Sequence, residues 1–308
     1  MSGITIRRKV VSISHSFRLG FATDNRWSSF PTPANSAIYR VCETSRRDSF
    51  LTDFPTLPSG TKATVLITGA SGSLGRALAL RFARPGARLS LWARSETTLE
   101  ALAAQCRERG AETAVCSLDL ADIDAALMAL QTQDAGNPFD IALLVAGQGD
   151  TLPPGVLVEP PAQVVRLAQT NFVAPAAMAA LLAERMAARG GGRIGVVGTA
   201  AASHSLPFAA GYAGSKAGLA RFADALRLAV AGHGVSVTLV SPGFFADESA
   251  ISRPGEIAAD TVAERMIAAV MAGKPELVVP RRFLLLRWFD RLLPRPLRDR
   301  ILLALRLP

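Results

Sequence analysis

The chain has 308 residues, 49% hydrophobic and 19% charged, enough apolar side chain to bury a sizeable core in one large domain or two small ones. Cys42, Cys106 and Cys116 leave an odd count without paired spacing, and His15, His204 and His233 form no metal-ligand cluster with Cys or Asp/Glu, which argues against a disulfide framework and against a metal site. The net charge of +9 sits in the ends: residues 1–62 carry nine basic and four acidic side chains and residues 281–308 eight and two, whereas 63–280 carry seventeen and nineteen, so nucleic acid bound across a basic domain face is excluded.

Residues 1–60 are rich in Ser, Thr, Arg and Pro, and their apolar pieces, Val10–Ile13 and Ala37–Val41, are too short for a signal peptide core or a spanning helix. A mostly disordered leader is expected, with a transit peptide or a start codon assigned too far upstream as the open readings. From Thr61 the pattern changes. Apolar runs predict strands at Ala63–Thr68, Ala87–Ala93, Glu112–Leu118, Phe139–Ala146, Arg193–Thr199, Val235–Ser241 and Leu277–Val279. Between them, helical periodicity predicts helices at Ser73–Ala83, Glu96–Arg109, Ile123–Gln131, Pro161–Arg189, Tyr212–Ala231 and Glu256–Met271. Alternation of this kind, with strands that are near-continuous apolar runs, predicts a single α/β domain over 61–280: a doubly wound parallel sheet with helices on both faces.

The first strand ends in Thr68-Gly-Ala-Ser-Gly-Ser-Leu-Gly75. Glycines at 69, 72 and 75 allow a tight turn and close approach of a pyrophosphate to backbone amides, and the helix N-terminus that follows favours the negative charge. Ser71, Ser73 and Leu74 lie in the same turn; a Gly-rich turn without ligand is the plain alternative. At the end of the second strand, where an NAD site places a carboxylate for the ribose hydroxyls, the run is Leu91-Trp-Ala-Arg94-Ser95. A guanidinium there can grip a 2′-phosphate, so NADP is favoured over NAD. Tyr212 and Lys216, four residues apart, share a helix face, and a lysine beside a phenol lowers the phenol's pKa toward proton exchange near neutrality.

In combination these residues resemble the short-chain dehydrogenase/reductase family over roughly residues 62–280. The resemblance implies a Rossmann-like fold and hydride transfer between NADP(H) and a carbonyl or secondary alcohol. It matches Asp119 to an adenine-side aspartate, Asn171 to a catalytic asparagine, and Ala146-Gly147 and Pro242-Gly243 to backbone lining the cofactor. The implied cofactor set is Gly69, Ser71, Gly72, Ser73, Leu74, Gly75, Arg94, Asp119, Ala146, Gly147, Tyr212, Lys216, Pro242 and Gly243; the implied catalytic set is Tyr212, Lys216, Thr199 and Asn171. Tyr212 would exchange the proton, Lys216 would lower its pKa and hold the nicotinamide ribose, Thr199 would orient the carbonyl, and Asn171 would support a relay water.

The chain also departs from the family. Ser73 stands where the Gly-rich run usually has glycine, which points to the related spacing Gly-x-x-Gly-x-x-Gly. Leu144-Val-Ala-Gly147 lacks the usual asparagines, and Pro242-Gly-Phe-Phe lacks the usual threonine. Thr199 replaces the family's serine, 13 residues before Tyr212, with Ser203 and Ser205 as fallback donors. A threonine hydroxyl donates the same hydrogen bond from a stiffer side chain. A non-catalytic NADP-binding sensor or scaffold is the alternative that these departures leave open.

Residues 281–308 interleave apolar residues and Trp288 with arginines, and Pro294 and Pro296 are expected to split them into two short helices. The tail is too charged to span a bilayer; it either lies at a membrane surface with its arginines toward headgroups or packs on the protein. A small-molecule carbonyl or alcohol substrate, with an apolar or lipid-like one favoured by the position of the tail, a homo-oligomeric state, and a cytoplasmic location with or without peripheral membrane contact complete the expectations.

Overall fold

The computed structural model describes residues 63–149, 151–153, 155–243, 245–246, 257–284 and 292–304. The expectation for the leader lies outside these residues.

Seven parallel strands form one sheet in the order β3-β2-β1-β4-β5-β6-β9. They are β1 (Thr64–Thr68), β2 (Arg88–Ala93), β3 (Glu112–Ser117), β4 (Ile141–Leu144), β5 (Gly192–Val197), β6 (Val235–Pro242) and β9 (Glu276–Val279). A second, two-stranded pairing joins β7 (Phe245–Ala246) to β8 (Ile257–Ala258). Every residue of β1 and β4 is buried, as central strands covered on both faces must be. Their register sets Val65 beside Ile141 and Ile67 beside Leu143. The order steps outward from β1 on one side and from β4 on the other, so the chain reverses direction across the sheet between them. A crevice opens at such a point, beyond the carboxyl ends of the strands, and the Gly-rich turn after β1 lies there.

The helices are α1 (Ser73–Phe82), α2 (Glu96–Glu108), α3 (Ile123–Gly136), α4 (Pro161–Ala168), α5 (Ala174–Ala188), α6 (Ala210–Ala229), α7 (Ala259–Met271) and α8 (Arg295–Ala304). One face of the sheet is covered by α1, α2 and α7 through Leu78, Leu99 and Met266, the other by α3, α5 and α6 through Leu130, Met178 and Leu219.

Several boundaries differ from expectation; β4, for one, is confined to Ile141–Leu144, and α6 starts at Ala210. Helix α3 continues past Gln131 to Gly136, and α7 starts at Ala259 because Ile257 and Ala258 pair with Phe245 and Ala246. The long helix expected over Pro161–Arg189 is interrupted by a π-helical turn, Gln169–Val173, in which the Ala174 N–H donates five residues back to the Gln169 carbonyl. Pro175 explains the turn. Its ring cannot donate to the carbonyl of Asn171, four residues earlier, and crowds it. The helical run Pro161–Ala188 is the only one among the described residues long and apolar enough to cross a bilayer. It is a core helix, since α5 buries Met178, Leu182 and Met186 against the sheet. In the tail, residue 292 is helical, residues 293–294 are not, and α8 begins at Arg295, so the break falls at Pro294; Pro296 lies in the first turn of α8, where a missing N–H costs nothing.

Candidate active site

The turn after β1 is shaped by two close approaches. Gly69 has φ +68°, and a Cβ there would stand 2.8 Å from the Ala146 Cα; a Cβ on Gly75 would stand 2.2 Å from the Gly69 carbonyl oxygen. Gly72 is less constrained, with its nearest neighbour at 3.5 Å, and it caps α1 without a side-chain hydrogen bond. No acidic residue occupies the first turn of α1, so its free N–H groups face a positively polarised crevice. These features fit a pyrophosphate. The crevice holds about 330 Å³ and is walled by Gly69, Ser71, Gly72, Ser73, Leu74, Gly75, Arg94, Asp119, Ala146 and Gly147, all expected for the cofactor. Ala93, Leu118, Leu120, Val145, Gln148, Thr170 and Phe245 complete the wall and were not anticipated. Arg94 is exposed at the end of β2, without an acidic partner among the described residues, and its carbonyl accepts from the Ser117 hydroxyl at 2.9 Å.

Thr68, the last residue of β1, does part of what the missing asparagines would do. Its Oγ1 accepts from the Val145 and Ala146 N–H groups at 3.1 and 3.3 Å, fixing the start of the loop after β4. The signal was a lone hydroxyl ending an apolar run. Asn171, fully buried in the π-turn, clasps the next residue of that loop: its Oδ1 accepts from the Gln148 N–H at 2.7 Å and its Nδ2 donates to the Gln148 carbonyl at 2.9 Å. Nδ2 also reaches the Ser215 hydroxyl at 3.3 Å, and that hydroxyl donates to the Tyr212 carbonyl at 2.8 Å. Asn171 therefore ties the cofactor crevice to α6. Gly147 passes over this junction so closely that a Cβ would lie 3.0 Å from the Lys216 Nζ and 3.1 Å from the Asn171 Oδ1.

On α6, Tyr212 and Lys216 share the face turned toward β5. Lys216 is buried and its Nζ donates to the Val197 carbonyl at 2.8 Å; burial lowers its pKa to about 8. The buried Thr199 lies near enough for its side chain to act on the Tyr212 phenol. Burial raises the Tyr212 phenol above its ordinary value, and Thr199 partly offsets that rise. The expected lowering of Tyr212 by Lys216 is thus not what the protein groups alone produce, because burial weakens the ammonium and the Val197 carbonyl engages it. Thr199 stands where the resemblance put it. Of the fallback donors, Ser205 faces a different hollow, between α6 and α8, and the Ser203 side chain lies outside the described residues.

Pro242 and Gly243 end β6 outside the crevice wall. The Gly243 N–H donates to the Val279 carbonyl at 2.7 Å, and a Cβ on Gly243 would stand 2.3 Å from the Phe283 ring, so the start of the tail packs directly on this loop. Among the described residues no group of His, Cys, Asp or Glu is placed to hold a metal ion.

The family model for short chain dehydrogenases matches residues 63–254. An uncharacterized oxidoreductase of Myxococcus xanthus is 31% identical over 77% of this chain and 94% of its own length. A very-long-chain 3-oxoacyl-CoA reductase of Podospora anserina is 32% identical over 63% of this chain and 58% of its own. Among solved structures, a short-chain dehydrogenase from Sphingobium yanoikuyae in complex with NADPH superposes with a TM-score of 0.66 at 25% identity, covering 79% of this chain and 96% of that one.

Proposed function

The chain belongs to the short-chain dehydrogenase/reductase family, and we propose that it is an NADP-dependent oxidoreductase reducing a carbonyl to a secondary alcohol, or the reverse, with Tyr212 as the proton donor. The observation that carries the reading is Tyr212 near the buried Thr199 on the helix that also holds the buried Lys216, with Gly147 linking that helix to the nucleotide crevice. The reduced nicotinamide, when bound, supplies the hydride. Tyr212 gives its proton to the substrate oxygen as the carbon takes the hydride, and regains one from solvent. When substrate is bound, Thr199 offers its hydroxyl to the same oxygen. Lys216, positively charged below about pH 8 and close beneath Gly147, would hold the nicotinamide ribose. Asn171, with both ends of its amide taken by Gln148 and Ser215, keeps the crevice and α6 in register. NADPH oxidation by the full chain across ketones and 3-oxoacyl thioesters tests the reading. Tight NADPH binding without turnover on any of them would favour a sensor or scaffold.

The preference for NADP rests on Arg94, exposed at the crevice wall with no acid to hold it. A charge-assisted contact to the 2′-phosphate contributes about 1.5–3 kcal/mol. Arg94→Ala is therefore expected to weaken NADPH binding about tenfold or more, with NADH binding unchanged; isothermal titration with both nucleotides measures it. An equal loss for both would place Arg94 outside the phosphate site.

We place the tail at an anionic membrane surface. Helix α8 buries no residue, and Leu297, Ile301 and Leu303 are 48%, 36% and 73% exposed beside Arg295 and Arg300. Apolar area flanked by arginines suits a bilayer interface carrying negative headgroups. The full chain is expected to sediment with phosphatidylserine-containing vesicles and not with phosphatidylcholine vesicles, and to be released by salt. Self-association on light scattering without vesicle binding would assign this face to a homo-oligomer.

A further inference from the structure

The N-terminus of the helix that carries Tyr212 lacks a cap of its own. Ala209 offers no side-chain hydrogen bond to α6, and its first turn contains no acidic residue. The need is met from another part of the chain. Glu159, just before α4 and 8% exposed, accepts from the Gly211 N–H through Oε2 at 2.6 Å. Its other oxygen accepts from the Gln163 Nε2 at 3.1 Å, and that amide also donates to the Thr151 carbonyl at 3.0 Å. A Cβ on Gly211 would sit 3.4 Å from both carboxyl oxygens, so the carboxylate lies flush against the backbone. A buried carboxylate at a helix N-terminus satisfies an orphan donor and complements the helix dipole. Gly211 immediately precedes Tyr212, so this bond fixes the Ala210–Gly211 peptide, one link before the residue that carries the phenol.

We propose that Glu159 is a positioning residue for the reaction: acting through Gly211, it holds the first turn of α6 so that the Tyr212 phenol meets Thr199 and the substrate oxygen. The inference rests on Tyr212 being the proton donor. Misplacing a reacting group by about 1 Å can cost about 10²-fold in rate, so Glu159→Ala is expected to lower kcat about 10- to 100-fold. The NADPH Kd should stay unchanged, because Glu159 is not part of the crevice wall. Glu159→Gln keeps an oxygen for the Gly211 N–H and should restore kcat to near wild type. Glu159→Asp keeps the charge but is one methylene too short to reach; it should behave like Glu159→Ala and serves if that variant does not fold. The measurement is kcat, KM and NADPH Kd for the full-length chain and the three variants, on whichever ketone or 3-oxoacyl thioester the wild type reduces. A drop in kcat at constant Kd, rescued by glutamine and not by aspartate, is the expected result. Wild-type kcat in Glu159→Ala or Glu159→Asp, alongside loss of turnover in Tyr212→Phe, overturns the inference and leaves the assigned function standing. Absence of turnover in the wild type overturns both.

Discussion

Tyr212→Phe is expected to lower kcat about 10²- to 10⁴-fold, the usual worth of a positioned proton donor, while NADPH binds as before. The substitution keeps the ring and removes only the hydroxyl. Among the described residues Lys216 does not replace it as donor, because its ammonium is directed to the Val197 carbonyl. The phenol is raised by burial, so it rests in its protonated form near neutrality and is ready to donate in the reductive direction. Steady-state NADPH oxidation together with a nucleotide titration separates loss of chemistry from loss of binding. A variant that loses both has lost the fold of the site, and one that loses neither removes Tyr212 from the mechanism.

The largest expected loss of stability lies away from this site. Asp134, on α3 with no side-chain exposure, is bonded by Arg185 and, at 3.0 Å, by Arg189 from α5. It also accepts from the Phe139 N–H at 2.9 Å, while Arg189 donates to the Phe139 carbonyl, so one carboxylate joins two helices to the entry of β4. Burial alone would raise its pKa, but Arg185, the Phe139 N–H and Arg189 outweigh it and hold the carboxyl below its ordinary value. Breaking a buried pair from one side costs about 3–5 kcal/mol. Both arginines keep partial access to water, which places Asp134→Ala at about 3 kcal/mol, a fall in Tm of about 6–12 °C for a domain of this size. A depressed carboxylate pKa gives stability that is present above the unfolded value of about 4 and lost as pH falls through the folded one. The gap between wild type and Asp134→Ala in thermal unfolding should therefore be full at pH 7 and shrink below about pH 4. A gap that does not change with pH would mean that the carboxylate's charge contributes nothing.

The sheet was legible because its signals are local. Strands such as Val65-Leu-Ile67 and Ile141-Ala-Leu-Leu144 are short apolar runs, and Gly69 and Gly75 mark a turn whose backbone tolerates no side chain. The crevice residues Gly69 to Gly75 and Arg94 followed from that turn and from the end of β2, whereas Asp119, Ala146 and Gly147 came only from the family resemblance. What stayed hidden depends on pairings distant in sequence. Thr68 reaches Val145, and Glu159 reaches Gly211 across 52 residues, with no spacing rule to reveal either. The π-turn had a local cause, Pro175 four residues after Asn171, yet helical periodicity runs through it unbroken and masks it. The balance at Tyr212 was misjudged for a physical reason: spacing shows that a lysine is near but not how deeply the pair is buried or which carbonyl the lysine meets.

The most direct measurement is the fate of a label. With NADPH carrying deuterium at the transferable nicotinamide position and a panel of ketones and 3-oxoacyl thioesters, mass spectrometry of the products reads hydride transfer itself. The account predicts an alcohol one deuterium heavier at the carbinol carbon, formed by the wild-type chain and suppressed in Tyr212→Phe. Unlabelled products, equal labelling by Tyr212→Phe, or tightly bound NADPH that transfers nothing to any member of the panel would contradict it.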